Sequence, residues 1–528
     1  MPAPLRFLFV GPFTAAPKGE RITVSGERMA DVMARLPLRT DVRVTDRLGA
    51  GGERSYAMQL ASARALRIAD VIAGHAPLSQ LAEIATALVR PTGAITIEQA
   101  VEQVRRLAGD GPLARALSEL DASPAPAAPT STAAQAPAPA PSSASSGDIF
   151  AQADLPSGGS GDADTVRAAK SGLDAFIGAM RGGKPKAPSG RNDAQQRAAA
   201  LLLDALDATA AEMLSHEPIA TLEANWRGIK LVLSESPGHD RLAIELLDTT
   251  AAQQADALAA ALAHGTLPDL VVVTTPIDDP ATLASLAECT ASHFVPVLAT
   301  LDPAALEVGE LPMQAWSALR RRPVSGWASV ATNDIVVAHE PTRVGPRVAF
   351  AAPVFAVAAM MAASLRRDGT FGDAFGRAGA LASPASQPVG DRRSGVRNVP
   401  VRAEMTPDAM RQMAEIGVVV VGSEPGGERL LAVGAPMVAV EDGPSLPGRV
   451  LVGRAVRAAI AARADLDRDA TDEALAQALL RAAASVLPDG PPGTCALEAR
   501  RRGPTGLDVT VKFRAAATGR PFGVTLST

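Results

Sequence analysis

Between Ser123 and Ser146 the chain reads SPAPAAPTSTAAQAPAPAPSSASS. This tract has no charge, no aromatic ring and no aliphatic side chain beyond Ala and Pro. It cannot bury enough apolar surface to offset the entropy of ordering it, so the sequence predicts a disordered, solvated linker. Its prolines stiffen it. In polyproline II, at about 3.1 Å per residue, it would reach roughly 75 Å. The two flanking parts can then meet each other, or meet different copies of each other.

With 528 residues, two or three domains are expected rather than one core. An apolar content of 47% is enough for real cores. The net charge is −5, with acids and bases interspersed, which argues against a nucleic-acid-binding surface. Cys289 and Cys495 are far apart and form no CxxC spacing, so neither a disulfide framework nor a zinc site is expected. A reducing, cytoplasmic compartment fits that usage. The start, MPAPLRFLFVGPF, lacks a basic segment followed by a long apolar one, so no signal peptide is expected. Val348 to Leu365 carries no charge, but it is rich in Ala and contains Pro353. We read it as a buried core helix and expect no direct membrane insertion.

The pattern predicts a mixed α/β (α+β) protein in four segments: 1–120, the linker 121–147, a helical segment 148–192, and 193–528. In the first, Leu5–Val10 reads as a buried strand and Ile22–Val24 as a short one. Ser25 is a partial N-cap for a helix over Gly26–Leu36, with Met29, Val32, Met33 and Leu36 on one face. Asp41–Val44 and Tyr56–Ala61 alternate as half-buried strands, and Pro77–Val89 and Ile97–Leu107 read as helices. Beyond the linker, Asp148–Leu155 is a small apolar island, and Thr165–Met180 has helical spacing.

A long Ala/Leu helix is then expected from Asp193 to Leu214. Strands are expected at Leu242–Leu247, Leu270–Thr274 and Val295–Ala299, in an α/β setting. Thr406 and Pro407 read as N-cap and first residue of a helix reaching Ile416. Val418–Val421 and Arg429–Ala432 read as a hairpin, Val450–Arg463 and Thr471–Val486 as helices, and Leu497–Arg500 and Leu507–Phe513 as a terminal hairpin.

Chemistry-bearing patterns are scarce. His75, His216, His239, His264, His293 and His339 fall in no metal-binding spacing. No nucleophile elbow, phosphate-binding loop or dinucleotide fingerprint is present. Gly422–Gly427 is glycine-rich but lacks a lysine and opens no helix, so it reads as a turn. Asp278-Asp279, ahead of Pro280, reads as a helix cap rather than a catalytic pair. Arg320–Arg322 and Arg500–Arg502 are solvated faces or docking patches for a neighbouring protein. No catalytic residue, cofactor or metal is expected, and the chain does not read as an enzyme.

Two strings carry a resemblance. Ile22–Leu48 (ITVSGERMADVMARLPLRTDVRVTDRL) is similar to the small subunit of the type VI secretion contractile sheath (TssB, or VipA). The matching residues are Asp31–Leu36 and Val42–Leu48. Tyr56–Ala61 and Ala65–Arg67 follow without the family's aromatics, and Val71–Arg90 fits its next helix. Leu222–Leu231 (LEANWRGIKL) is close to a string of the large sheath subunit (TssC, or VipB), with Leu222, Glu223, Trp226, Arg227 and Gly228 as its core. Met405-Thr406, Met413, Ile416-Gly417 and Val418 resemble a later region of that subunit, and Leu507–Leu526 resembles its end. The large-subunit-like part is short, Arg347–Leu365 is degenerate, and two normally separate chains are one.

The resemblance implies a small-subunit-like domain (1–120) joined to a large-subunit-like domain (193–528). It implies a structural subunit that forms a helical homopolymer around an Hcp-like inner tube protein, meets baseplate proteins and contracts. Strand addition between copies is then expected. The candidate strands hold Leu5, Phe7 and Phe9; Val42 and Val44; and Val509, Val511 and Phe513. A ClpV-type AAA+ ATPase is a further implied partner, with Asp148, Ile149, Phe150, Leu173 and Phe176 as the segment it would grip. The alternative is a sheath-like scaffold or baseplate-associated adaptor that does not contract.

Overall fold

A computed structural model describes residues 3–122 and 190–527, except 37, 50, 60–65, 93, 303–309, 391–394, 425–426, 441–442, most of 466–494, 503–505, 515–517 and 520. The expected linker, the island at 148–155 and the helix at 165–180 lie outside the described residues. So do Asp148, Ile149, Phe150, Leu173 and Phe176, and most of the helix expected at 471–486. The described chain is mixed α/β and falls into two compact units.

The smaller unit comprises residues 47–51 and 80–205. Its elements are most of α3 (Ala76–Leu88), α4 (Ile97–Ala108), α5 (Pro112–Ala122) and the first half of α6 (Gly190–Ser215). A capping box opens α4: Thr96 Oγ1 accepts the Gln99 amide hydrogen, and the Gln99 side chain accepts that of Thr96. Ile97, Ala100, Val101 and Val104 then recur at helical spacing and are buried.

The larger unit, 1–46, 52–79 and 206–528, begins with β1 (Leu5–Gly11), β2 (Glu20–Thr23), α1 (Met29–Arg35), β3 (Arg39–Thr45), β4 (Glu53–Gln59) and α2 (Ile68–Gly74). After α6 come α7 (Glu217–Glu235), β5 (Leu242–Asp248), α8 (Gln254–Ala263), β6 (Leu270–Ile277), α9 (Pro280–Ala291) and β7 (Val297–Leu301). Next are α10 (Glu310–Arg320), β8 (Ala328–Thr332), β9 (Ile335–Glu340), β10 (Arg347–Ala351) and α11 (Pro353–Asp368). Short strands β11 (Leu381–Ala382), β12 (Gln387–Val389) and β13 (Arg397–Val399) lead to α12 (Pro407–Glu415) and β14 (Val418–Val420). The chain continues through β15 (Gly422–Ser423), β16 (Arg429–Leu431) and α13 (Leu446–Ala464). It closes with β17 (Cys495–Arg502), β18 (Gly506–Phe513) and β19 (Phe522–Ser527).

Seven strands form the central sheet, in the order β14-β8-β7-β6-β1-β5-β2. All are parallel except β2, which pairs antiparallel with β5. The near-continuous apolar runs of β1, β5, β6 and β7 suit strands covered on both faces. Strand β1 lies between β5 and β6, opposite Leu242–Asp248 on one side and Leu270–Val273 on the other. Phe7, Leu8, Phe9 and Val10 are fully buried there. The first residues of the chain thus supply an inner strand to a sheet whose other parallel strands lie beyond residue 240.

That placement decides which edges are open. Phe7 and Phe9, expected as strand donors between copies, have strand partners on both sides within the chain, and Leu5 is paired with Leu242 of β5. Val509, Val511 and Phe513 lie on β18, the middle strand of the β17-β18-β19 sheet. Val42 and Val44 lie on β3, which among the described strands pairs with β4 alone, with both valines buried.

Several local expectations shift. Helix α1 starts at Met29 with Arg28 as an N-cap that makes no side-chain bond, so Ser25 does not cap it. The run Val348–Leu365 splits: residues to Ala351 are strand β10, and Pro353 opens α11 at a position where its missing amide hydrogen is harmless. Every residue from Pro353 to Leu365 is buried. Val418–Val420 joins the central sheet, so the hairpin is instead β15 with β16. Among the described residues no helix is long and apolar enough to cross a membrane.

Candidate functional site

The LEANWRGIK string is the second half of a buried joint on α7. Its partners come from the start of the chain. After β1, residues Pro12–Thr14 turn across the carboxyl ends of β5 and β6. The Asn225 amide donates to the Pro12 carbonyl at 2.8 Å, and the Trp226 indole N–H donates to the Phe13 carbonyl at 2.9 Å. Asp248, at the end of β5, accepts from the Phe13 and Thr14 amides at 2.7 and 2.9 Å and from Thr14 Oγ1 at 2.6 Å. These bonds satisfy backbone groups that would otherwise be buried without partners.

Ring packing reinforces them. Phe13 meets Trp226 edge to face at 6.1 Å, and Phe9 stacks on Phe355 of α11 at 5.6 Å. Gly228 permits that stack. A Cβ there would lie 2.4 Å from Phe355 Cγ, so α7 and α11 approach closely only over a glycine. Gly11 plays the same part beside Thr274, where a Cβ would fall 2.1 Å from Oγ1.

One helical turn away, Glu223 is completely buried and ion-paired. Arg227 Nε donates to it at 2.8 Å, four residues on, and Arg347 of β10 reaches both of its oxygens. Glu340 of β9 completes a four-charge cluster, 3.5 Å from Arg347 and 3.9 Å from Arg227. Two acids and two bases leave no net charge, which is what a buried cluster requires. The cluster also grips the early chain: Glu340 accepts the Ile68 amide hydrogen at 2.9 Å, and Arg227 donates to the Leu66 carbonyl at 3.2 Å.

A second tie closes the amino end of the sheet. Asp269, just before β6, accepts the Arg6 amide hydrogen at 2.9 Å and pairs with Arg454 and Arg457 of α13. Burial pushes its carboxyl up, against the pull of the two guanidiniums. Arg454 also donates to the Ala3 carbonyl.

The joint occupies a telling place. In open parallel sheets ligands bind beyond the carboxyl ends of strands, where neighbouring connections diverge. Here Pro12–Thr14, which follow the carboxyl end of β1, are tied to Asp248 at the end of β5 and to Asn225 and Trp226 of α7. The arrangement holds two distant parts of the chain together. Among the described residues no group of three or more His, Cys, Asp or Glu could hold a metal ion.

All five motif residues, Leu222, Glu223, Trp226, Arg227 and Gly228, sit at or beside this joint. Sequence reading missed Asn225, Phe13, Asp248, Glu340, Arg347 and Phe355. Only the Glu223–Arg227 spacing of four offered a local clue: Asn225 stands in the string itself, but its partner Pro12, like the remaining residues, comes from far along the chain.

No family model matches the chain, and no curated protein matches it. Three solved structures give the following alignments. A chain of the anti-feeding prophage baseplate has 16% identity and a TM-score of 0.32, covering 52% of this chain and 70% of that one. The sheath of an extracellular contractile injection system, PVC, in the contracted state, has 11% identity and a TM-score of 0.35, covering 57% and 76%. A sheath tail protein from Listeria innocua has 11% identity and a TM-score of 0.28, covering 54% and 61%. Each TM-score is lower than a shared whole-chain fold gives.

Proposed function

We propose that this chain is a structural subunit of a contractile sheath of the type VI kind, with small- and large-subunit-like parts in one polypeptide. It polymerises with copies of itself around an Hcp-like inner tube, docks on a baseplate, and contracts to drive the tube outward. The supporting observation is the joint on α7. The most specific large-subunit-like string, Leu222–Leu231, holds the carbonyls of Pro12 and Phe13 from the small-subunit-like part. A subunit that must transmit force through both parts needs them locked into one body. Fusion also fixes their ratio at one to one and raises the effective concentration of each for the other.

Strand addition between copies has candidate open edges in β17 and β19 of the terminal sheet and in the β3–β4 hairpin. A contact of this head-to-tail kind that does not close makes an open helical filament. The segment 148–155 is proposed as the grip for a ClpV-type ATPase. Its deletion is expected to leave assembly intact and abolish ATPase binding in a pull-down.

Negative-stain electron microscopy of the purified full chain tests the main reading. Hollow, helically striated tubes are expected. Only monomers or small closed oligomers, even with tube protein added, would overturn it.

A further inference from the structure

The central sheet is electrically polar along its strands. Six strands run in one direction, so all their amino ends share one edge and all their carboxyl ends share the other. At the amino ends of β7 and β8 lie Phe294, Trp327, Arg449 and the run Arg320–Arg322. At the carboxyl ends of β6, β7 and β8 lie Asp278, Asp279, Asp302 and Asp334.

The amino edge has three features that packing alone does not require. The first is Trp327. Of the three tryptophans, Trp226 and Trp316 are fully buried, whereas Trp327 is only half-buried. The second is Phe294, which takes the left-handed conformation with φ 55°. A bulky residue adopts that backbone only at a cost. Its carbonyl accepts from Arg457 at 2.8 Å, but a glycine would present the same carbonyl without strain. The ring is what the strain supports, and it meets Trp327 edge to face at 6.0 Å.

The third is Arg449, whose guanidinium lies over the Trp327 ring at 4.7 Å. Its Nε is buried without a hydrogen-bond partner. Burial pushes its pKa down, the opposite of what an acidic neighbour does. Among the described residues neither Arg449 nor the exposed Arg321 has a carboxylate within ion-pair distance. Among the described residues, Glu288 is taken by Arg322, and Glu415, whose carbonyl accepts from Arg320, is exposed.

The aspartates of the opposite edge differ in how they are held. Asp279 is held by the amides of Ala281 and Thr282, and Asp334 pairs with Arg402. Asp278 is exposed and pairs with nothing among the described residues.

We propose that copies of this chain dock head to tail, the cationic aromatic corner of one sheet's amino edge seating Asp278 at the carboxyl edge of the next. This rests on the self-assembly reading above and names the surfaces it uses. The contact joins two different faces, so it propagates instead of closing into a dimer. A carboxylate approaching Arg449 and Arg321 gains charge-assisted hydrogen bonds, and the half-buried rings supply a desolvated anchor of the type that dominates interfaces.

Sedimentation velocity on the full chain tests it. Arg321→Glu and Asp278→Arg alter exposed, unpaired side chains, so folding is not at stake. Each is expected to weaken self-association roughly tenfold. Mixing the two variants is expected to restore it, because the reversed charges attract. Association of the unaltered chain is expected to weaken with added salt, and Trp327 to become protected from acrylamide quenching as copies assemble. If the unaltered chain assembles and both variants assemble equally well, the head-to-tail contact is overturned while the sheath reading stands. If the unaltered chain stays monomeric at every concentration, both are overturned.

Discussion

Glu223 is the residue on which the joint most depends. It is buried with two arginines on it, so its loss strands positive charge in the interior. Removing one partner of a buried pair costs about 3–5 kcal/mol. Glu223→Gln is therefore expected to lower unfolding free energy by that amount in a urea titration, and a loss below about 1 kcal/mol would contradict the cluster. Trp226→Phe keeps an aromatic ring but leaves the Phe13 carbonyl without its donor, so about 1–3 kcal/mol should be lost. Gly228→Ala gains helix propensity but drives a methyl into Phe355, which is fully buried and stacked on Phe9. Overpacking of that kind costs about 1–3 kcal/mol, so a net loss is expected by thermal melting. Trp226 was legible as a core residue from its string alone. Its role as a donor to Phe13 was not, because the two lie 213 residues apart.

Among the elements, those with local signals were the readable ones. Thr406 caps α12 as its sequence indicates, accepting the Ala409 amide hydrogen at 3.2 Å, and Asp279 caps α9. Asp279→Ala is expected to cost about 1 kcal/mol at neutral pH. The Thr282 hydroxyl and the helix amides hold the Asp279 carboxyl below the usual range. Its contribution is therefore present above the unfolded-state value, about 3.9, and is lost as pH falls through the lower folded value. The stability gap between variant and unaltered chain should close on acidification, and a gap that widens would contradict the cap. Strand β10 was hidden because Val348–Phe350 shares its uncharged composition with the helix after it. Only Pro353 marks the boundary. Strands β8 and β9 were missed because their apolar runs are short and turn at Asn333, a non-glycine residue at φ 74°.

For the whole molecule, the linker-like tract drew attention to a division of the chain, while the strand order shows what crosses it. The apolar run Leu5–Val10 was legible as a buried strand. Its neighbours were not, since nothing local distinguishes a strand that opens a sheet from one inserted between two others. Inserted between β5 and β6, β1 is expected to belong to the same cooperative core. Native-state amide hydrogen exchange on the full chain tests it directly. The amides of Phe7–Val10 are expected to exchange in the slowest class, together with those of Ile244–Leu247 and Val271–Val273. If Phe7–Val10 exchange early while β5 and β6 stay protected, the first part of the chain is not built into the sheet, and the account fails.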